Sequence, residues 1–232
     1  MSYGNYYELP ELIPENIIER VSKLSSANIC DGLNKLGLLA NRCMCQQIKP
    51  VSDNMKVVGT ACTVDTKDGD NLPIHIAIYS CKPGYVIVVS GKAYEESAYM
   101  GDLMGGAAEA IGVSGIVVDG YVRDKVGLDE IGMPVFSRGF KPASPAKKGP
   151  GGLNIPVECG SVAVNPGDLI VGDYDGVVVV PRDKIEEVLD AAEVKIAYEE
   201  KRVFTIEQYR KCKKEGTELP ELTPSWVKDM MG

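Results

Sequence analysis

The runs YVIVVS (85–90) and GIVVDG (115–120) constrain the fold most: each is a short, unbroken β-branched stretch with no polar residue at alternate positions until its end. A strand without a polar face must be covered on both sides, the condition of a parallel sheet held between other layers. The segments around these runs supply the cover. MGDLMGGAAEAIG (100–112) has helical period and small residues that allow close packing, and NLPIHIAIYSC (71–81) is a second helical segment before the KPG turn. KVVGTACTV (56–64) and MPVFSRG (133–139) complete the alternation as strands. The order strand, helix, strand, helix, strand predicts an α/β fold.

Two helical segments open the chain, PENIIERVSKL (14–24) and SSANICDGLNKLG (25–37), the second with Ser25 or Ser26 as N-cap and Gly37 as its stop. KPASPAKKGPGGL (141–153) is a loop, long enough to be a lid or an interface segment. SVAVNPGDLIVGDYDGVVVVP (161–181) predicts two strands around a type II turn at Pro166-Gly167 and a third strand after DYDG, a β-meander. From Lys184 to about Glu215 the period is helical, interrupted only by the β-branched patch at Val203 to Ile206. A continuous helix there is roughly 45 Å long, against a radius of gyration of roughly 17 Å for this chain length. Such a helix is expected to project onto a neighbouring subunit.

With 44% apolar residues in 232, the chain can bury a substantial core. A formal charge of -8 repels phosphate backbones, which argues against nucleic acid as a partner. No apolar run reaches the roughly 18 residues of a membrane span, and MSYGNYYELPEL lacks a basic and apolar leader, so a cytoplasmic protein with no membrane contact is expected. Seven cysteines without a CxxC pair are expected to be mostly small buried residues.

In α/β sheets ligands gather beyond the carboxyl ends of the strands. DGYVRD (119–124) lies at such an end, and GDLMGGAAEA opens the helix that precedes the same strand. Alone, Arg123-Asp124 is a solvated ion pair, Asp102 an N-cap and Asp119 a turn former. Together, the first-turn amides of Leu103, Met104 and Gly105 form an anion site at a helix N-terminus. Asp102 and Asp124 add hard oxygen ligands for Mg²⁺ or Mn²⁺, and Arg123 a fixed positive fork.

Asp102, twenty intervening residues and then Arg123-Asp124 resemble the D-x20-R-D signature of the class II pyruvate aldolases, typified by 4-hydroxy-4-methyl-2-oxoglutarate/4-carboxy-4-hydroxy-2-oxoadipate aldolase, within the RraA-like family. SSANICDGLNKLG, GDNLPIHIAIYSCKPGYVIVV, GVSGIVVDGYVRD and IPVECGSVAVNPGDLIVGDYDGVVVVP extend the resemblance over nearly the whole chain. It implies one swivelling β/β/α domain over 1–232, with N-terminal helices and a C-terminal helix (about 183–215) packed on a neighbouring subunit. It also implies a homotrimer or homohexamer with sites between subunits, and metal-dependent retro-aldol cleavage of a 4-hydroxy-2-oxo acid to pyruvate, with oxaloacetate decarboxylation alongside. By the same resemblance Asp124 binds the metal directly, Asp102 through water, and Arg123 steadies the enolate oxygen. Gly101, Asp102, Leu103 and Met104 contact substrate, and Glu199 of a neighbouring subunit, or the adjacent Glu200, completes the metal site. The alternative within the family is a non-catalytic regulator that binds and inhibits a ribonuclease. A methyltransferase is disfavoured by the absence of an adenosylmethionine glycine loop.

The remaining polar residues have plainer expectations. His75 is a core or helix-surface residue, Asp70 and Asn71 are caps, which the family resemblance places near the pocket, and Asp173 and Asp175 shape a turn. Lys92, the first suspect for a Schiff base, and Lys147-Lys148 are expected at the surface.

Overall fold

The computed structural model describes residues 4–231. In chain order the strands are β1 (Gly4–Tyr6), β2 (Lys49–Pro50), β3 (Val57–Thr66), β4 (Tyr85–Met100), β5 (Gly115–Val122), β6 (Val135–Ser137), β7 (Gly139–Phe140), β8 (Gly151–Leu153), β9 (Val157–Cys159), β10 (Val162–Val164), β11 (Leu169–Asp173) and β12 (Gly176–Val180). The helices are α1 (Glu15–Ser22), α2 (Ser26–Lys35), α3 (Leu72–Ser80), α4 (Asp102–Ile111), α5 (Lys125–Ile131), α6 (Ile185–Glu215) and α7 (Ser225–Met231).

A central sheet runs β1-β8-β3-β4-β5-β6-β2, with β3, β4, β5 and β6 parallel. The two apolar runs are its middle strands, and their side chains divide by parity. Ile87, Val89, Ile116 and Val118 enter one core with Ile74 and Ile78 of α3 and Met104 and Ala108 of α4. Val86, Val88 and Val117 enter a second core with Phe136, Val162, Val164 and Val179. Period-two alternation over a run with no polar face therefore places both faces in cores, as the sequence requires. A third core joins α1, α2 and the start of α6 to β11 and β12 through Val21, Leu33, Val171, Val180 and Leu189.

The helix ends follow their local chemistry. Ser25 caps α2 in a capping box with Asn28, and Gly37 (φ 69°) ends it, with Leu38 N–H donating to Leu33 O at 2.8 Å in a Schellman closure. Gly32 packs α2 onto α6 so closely that a Cβ there would run into the Val188 carbonyl. α6 continues through Val203 to Ile206 as one helix of 31 residues and stops at Gly216 (φ 68°). Its helix propagation and the turns on either side outweigh the β-branched patch. After it the chain folds back: Arg202 donates to Leu222 O at 2.8 Å and Trp226 Nε1 to Tyr198 Oη at 3.3 Å.

Three expectations change. The strand begun by YVIVVS runs on to Met100, past left-handed Lys92 and Ala93 (φ 56° and 55°) and several register shifts. The turn at Pro166-Gly167 (Gly167 φ 90°) does not join a hairpin, because β10 pairs back with β9 while β11 pairs with β12 and β3. Only β11–β12 is a hairpin of the expected meander. α5, directly after Asp124, is an additional helix.

Candidate active site

The register Met100↔Val122 brings the ends of β4 and β5 level, and Arg123 N–H donates to Met100 O at 2.9 Å. Residues just past the two ends, 101–104 and 123–124, are therefore neighbours despite the twenty residues between Asp102 and Arg123. They line a cleft of about 160 Å³ with Asn71, His75, Ser144, Pro145 and Lys147.

Gly101 is the N-cap of α4 in an extended conformation, so β4 passes straight into the helix. Its missing side chain leaves room for the Asp124 carboxylate: a Cβ would come within 2.2 Å of Asp124 Oδ2 and 3.1 Å of Arg123 Cγ, and the carboxylate would have to move. Asp102 is thus the first helical residue and not the cap. Its Oδ1 accepts the Leu103 N–H at 2.7 Å, and Gly105 N–H already donates to Gly101 O at 3.0 Å. Of the three first-turn amides expected to face an anion, two are engaged in this structure: Gly105 because the helix starts one residue earlier, and Leu103 by the Asp102 carboxylate. Met104 is buried, while the Leu103 side chain is 86% exposed. On the far side Asp102 lies against α5, where a Cβ on Gly127 would come within 2.6 Å of Asp102 Oδ2. Two glycines, one on each element, leave room for the two carboxylates.

Asp124 has left-handed backbone angles (φ 59°, ψ 45°) at the start of α5 and makes no side-chain cap. Backbone of this kind in a residue other than glycine costs on the order of 1 kcal/mol and concentrates at functional sites. Asp124 Oδ2 accepts from Arg123 Nε at 3.1 Å, and Arg123 Nη1 donates to Ser144 Oγ at 2.6 Å. The guanidinium is fixed from two sides. Both charges are more than a third exposed, so the pair itself adds little stability.

Ser144 was not legible as a site residue; it arrives on the 141–150 loop, and that loop is strapped down by Asp70. Asp70 Oδ2 accepts from the N–H groups of Lys148 (2.6 Å) and Gly149 (3.0 Å), while Oδ1 accepts from Leu72 N–H at 2.9 Å and so caps α3. Asn71 N–H to Ala146 O (2.9 Å) and Ala146 N–H to Gly69 O (2.7 Å) add backbone bonds. Of the lysine pair, Lys147 lines the cleft and Lys148 serves the strap. Asn71, 2% exposed, donates Nδ2 to Tyr99 O (2.9 Å) and Met104 Sδ (3.3 Å), and its Oδ1 is buried without a partner among the described residues. A buried acceptor left this way costs about 1–3 kcal/mol. His75 stacks on Tyr79, and burial, with Lys147 as a second cause, lowers its pKa, so the imidazole at the cleft wall is neutral at pH 7.

Other sequence candidates lie elsewhere. Glu199 accepts from Asn28 Nδ2 at 3.3 Å in a groove with Glu200 and Phe204. Lys92 pairs with Asp65 (3.0 Å) and donates to Thr66 O (2.7 Å) in a separate groove, away from the Asp102–Arg123–Asp124 cleft. Asp119 is no turn former: it is buried, pairs with Arg138 and accepts from Gly160 N–H at 3.0 Å. Asp173 caps α2 from outside by accepting from Ser26 N–H (2.8 Å) and Oγ (2.6 Å), and it accepts from Asp175 N–H at 3.0 Å to close the expected turn. Among the described residues, no three His, Cys, Asp or Glu side chains converge to hold a metal, and no helix is long and apolar enough to cross a membrane.

Residues 26–179 match the family model RraA-like, described as Aldolase/RraA. A protein of Halalkalibacterium halodurans named "Putative 4-hydroxy-4-methyl-2-oxoglutarate aldolase" is 44% identical over 155 residues, 67% of this chain and 74% of that protein. The crystal structure of an uncharacterized protein from Pseudomonas syringae pv. tomato superposes with a TM-score of 0.76 at 28% identity, covering 87% of this chain and 92% of that one. Streptomyces coelicolor RraAS2, described as an unusual member of the RNase ES inhibitor RraA protein family, gives 0.72 at 30% identity over 84% of this chain and 97% of its own. The α/β fold with N-terminal helices and a long C-terminal helix, and the match over residues 26–179, lead to one conclusion: this chain belongs to the RraA-like family.

Proposed function

We propose that the protein is a divalent-metal-dependent lyase that cleaves a 4-hydroxy-2-oxo acid to pyruvate by a retro-aldol reaction and decarboxylates oxaloacetate as a side activity. The observation that carries this reading is the meeting of Asp102, Arg123 and Asp124 in one cleft, with Asp124 held in a left-handed backbone and glycines at 101 and 127 clearing space for both carboxylates. The similarity to the named aldolase of H. halodurans supports it.

The residues present suit Mg²⁺ or Mn²⁺, which take hard oxygen ligands and, for Mg²⁺, keep several waters beside one or two carboxylates. Asp124 would ligate directly and Asp102 through water, with Glu199, or Glu200, reaching in from a neighbouring copy. When bound, the metal supplies Lewis acidity to the carboxylate and keto oxygen of a 2-oxo acid. Arg123, fixed by Asp124 and Ser144, offers its remaining N–H groups to the negative charge that develops on the keto oxygen as the C3–C4 bond breaks. Asp102 holds a water for proton transfer at C3. Lys147 supplies positive charge for a second carboxylate, the unpartnered Asn71 Oδ1 accepts a hydrogen bond from the substrate hydroxyl, and the proton of that hydroxyl passes to the water held by Asp102 as the C3–C4 bond breaks. The whole chain, 1–232, acts as one domain in a homotrimer or homohexamer, α6 lying on the neighbour.

The test is pyruvate release from 4-hydroxy-4-methyl-2-oxoglutarate, and CO₂ loss from oxaloacetate, with and without Mg²⁺ or Mn²⁺. Metal-dependent turnover that disappears in Asp124→Ala is expected; an inert protein, or turnover unchanged in that variant, would sink the reading. The likeness to RraAS2 supports a second one, a ribonuclease-binding regulator, which stoichiometric capture of a ribonuclease without metal binding would favour.

A further inference from the structure

We propose that Cys30 and Cys43 form a redox-active dithiol, which hydroperoxides convert into an intramolecular disulfide. Their Sγ atoms are 3.3 Å apart across 13 residues of chain. Both sulfurs are held where they are by structure outside the pair. Cys30 sits on α2, which Gly32 locks onto α6. Cys43 is a bridge partner of Val178, and the bonds Met44 N–H to Val177 O and Val179 N–H to Arg42 O, both 2.9 Å, fasten its loop to the free edge of β12. Closing the gap to the roughly 2.05 Å of a disulfide takes side-chain rotation and a small shift of that loop.

The two thiols differ in a way that divides the work. Cys43 is exposed and can be reached by an oxidant, whereas Cys30 is half-buried. Burial and the neighbouring Cys43 push the Cys30 thiol up to about 12, so Cys30 keeps its proton and can donate it to the Cys43 sulfur. The Cys43 sulfur attacks one oxygen of the peroxide and gives up its own proton; the O–O bond breaks, the departing oxygen takes that proton and leaves as water or an alcohol, and Cys43 becomes a sulfenic acid. The Cys30 sulfur then displaces the hydroxyl, which departs as water with the Cys30 proton, and the S–S bond forms. In sum, two thiols and one hydroperoxide give a disulfide, one alcohol or water, and one water. Cys62 and Cys81 are also neighbours, but both are buried out of an oxidant's reach and serve as an internal control.

The experiment treats the reduced full-length protein with a small excess of hydrogen peroxide, blocks residual thiols, and maps peptides by mass spectrometry. Expected are a Cys30–Cys43 linked peptide lighter by two hydrogens and a melting temperature raised by several degrees, both reversed by dithiothreitol. In Cys30→Ser, Cys43 should stop at the sulfenic acid and be trapped by dimedone; in Cys43→Ser, Cys30 should stay reduced. Over-oxidation of Cys43 in the parent protein without a linked peptide overturns the proposal, as does a Cys43 that stays reduced or links to any other thiol.

Discussion

A methyl group at position 101 would come within 2.2 Å of Asp124 Oδ2. Gly101 has an extended backbone that any residue adopts, so Gly101→Ala should fold normally while pushing the carboxylate aside. Displacement of this size at a reacting centre costs roughly 100-fold in rate. A kcat/KM for pyruvate release lowered by about that factor, with an unchanged melting temperature, is the expected result. Asp119→Ala should do the reverse. It leaves Arg138, whose side chain is 16% exposed, without its partner and Gly160 N–H without its acceptor. Breaking a buried pair costs about 3–5 kcal/mol, readable as a lower urea midpoint at constant slope. These residues also show what the sequence could carry. Arg123 and Asp124 were legible beside Asp102 because parallel register aligns successive strand ends, whereas Asp119 meets partners 19 and 41 residues away, which no local spacing announces.

At the scale of elements, those decided by short-range chemistry were legible: the Ser25 cap, the Gly37 stop, the two-sided runs of β4 and β5, and α6. Those decided by distant partners were not. The second half of β4 is polar in sequence and becomes a strand only through its bonds to β5 and the loop at Ala143. The strap from Asp70 to Lys148 and Gly149 spans nearly eighty residues and could not be read from either end. It makes a firm expectation possible: Asp70→Asn replaces the oxygen accepting two N–H groups, or the one capping α3, with an amide donor. The 141–150 loop should then be cut faster by trypsin at Lys147 or Lys148. Because Ser144 steadies Arg123, kcat should fall along with substrate affinity, while the far-UV circular dichroism stays that of the parent.

For the whole molecule the longest element carries the clearest consequence. Only the first two turns or so of α6 contribute to the core, and Val194, Val203 and Phe204 beyond them are 61%, 54% and 62% exposed. Apolar side chains set along a projecting helix beside Glu199 suit burial on another copy. Phe204→Glu should lower the mass seen by sedimentation toward 25.0 kDa and abolish turnover together, since the same helix would deliver the third carboxylate. The left-handed Asp124 has a consequence of a different kind, a conflict between durability and use. Glycine at 124 adopts that backbone without strain, so Asp124→Gly should give a dead enzyme at least as resistant to urea as the parent, by up to about 1 kcal/mol. Selection for thermal hardiness alone would drift toward that substitution, and only selection for chemistry would hold the aspartate in place.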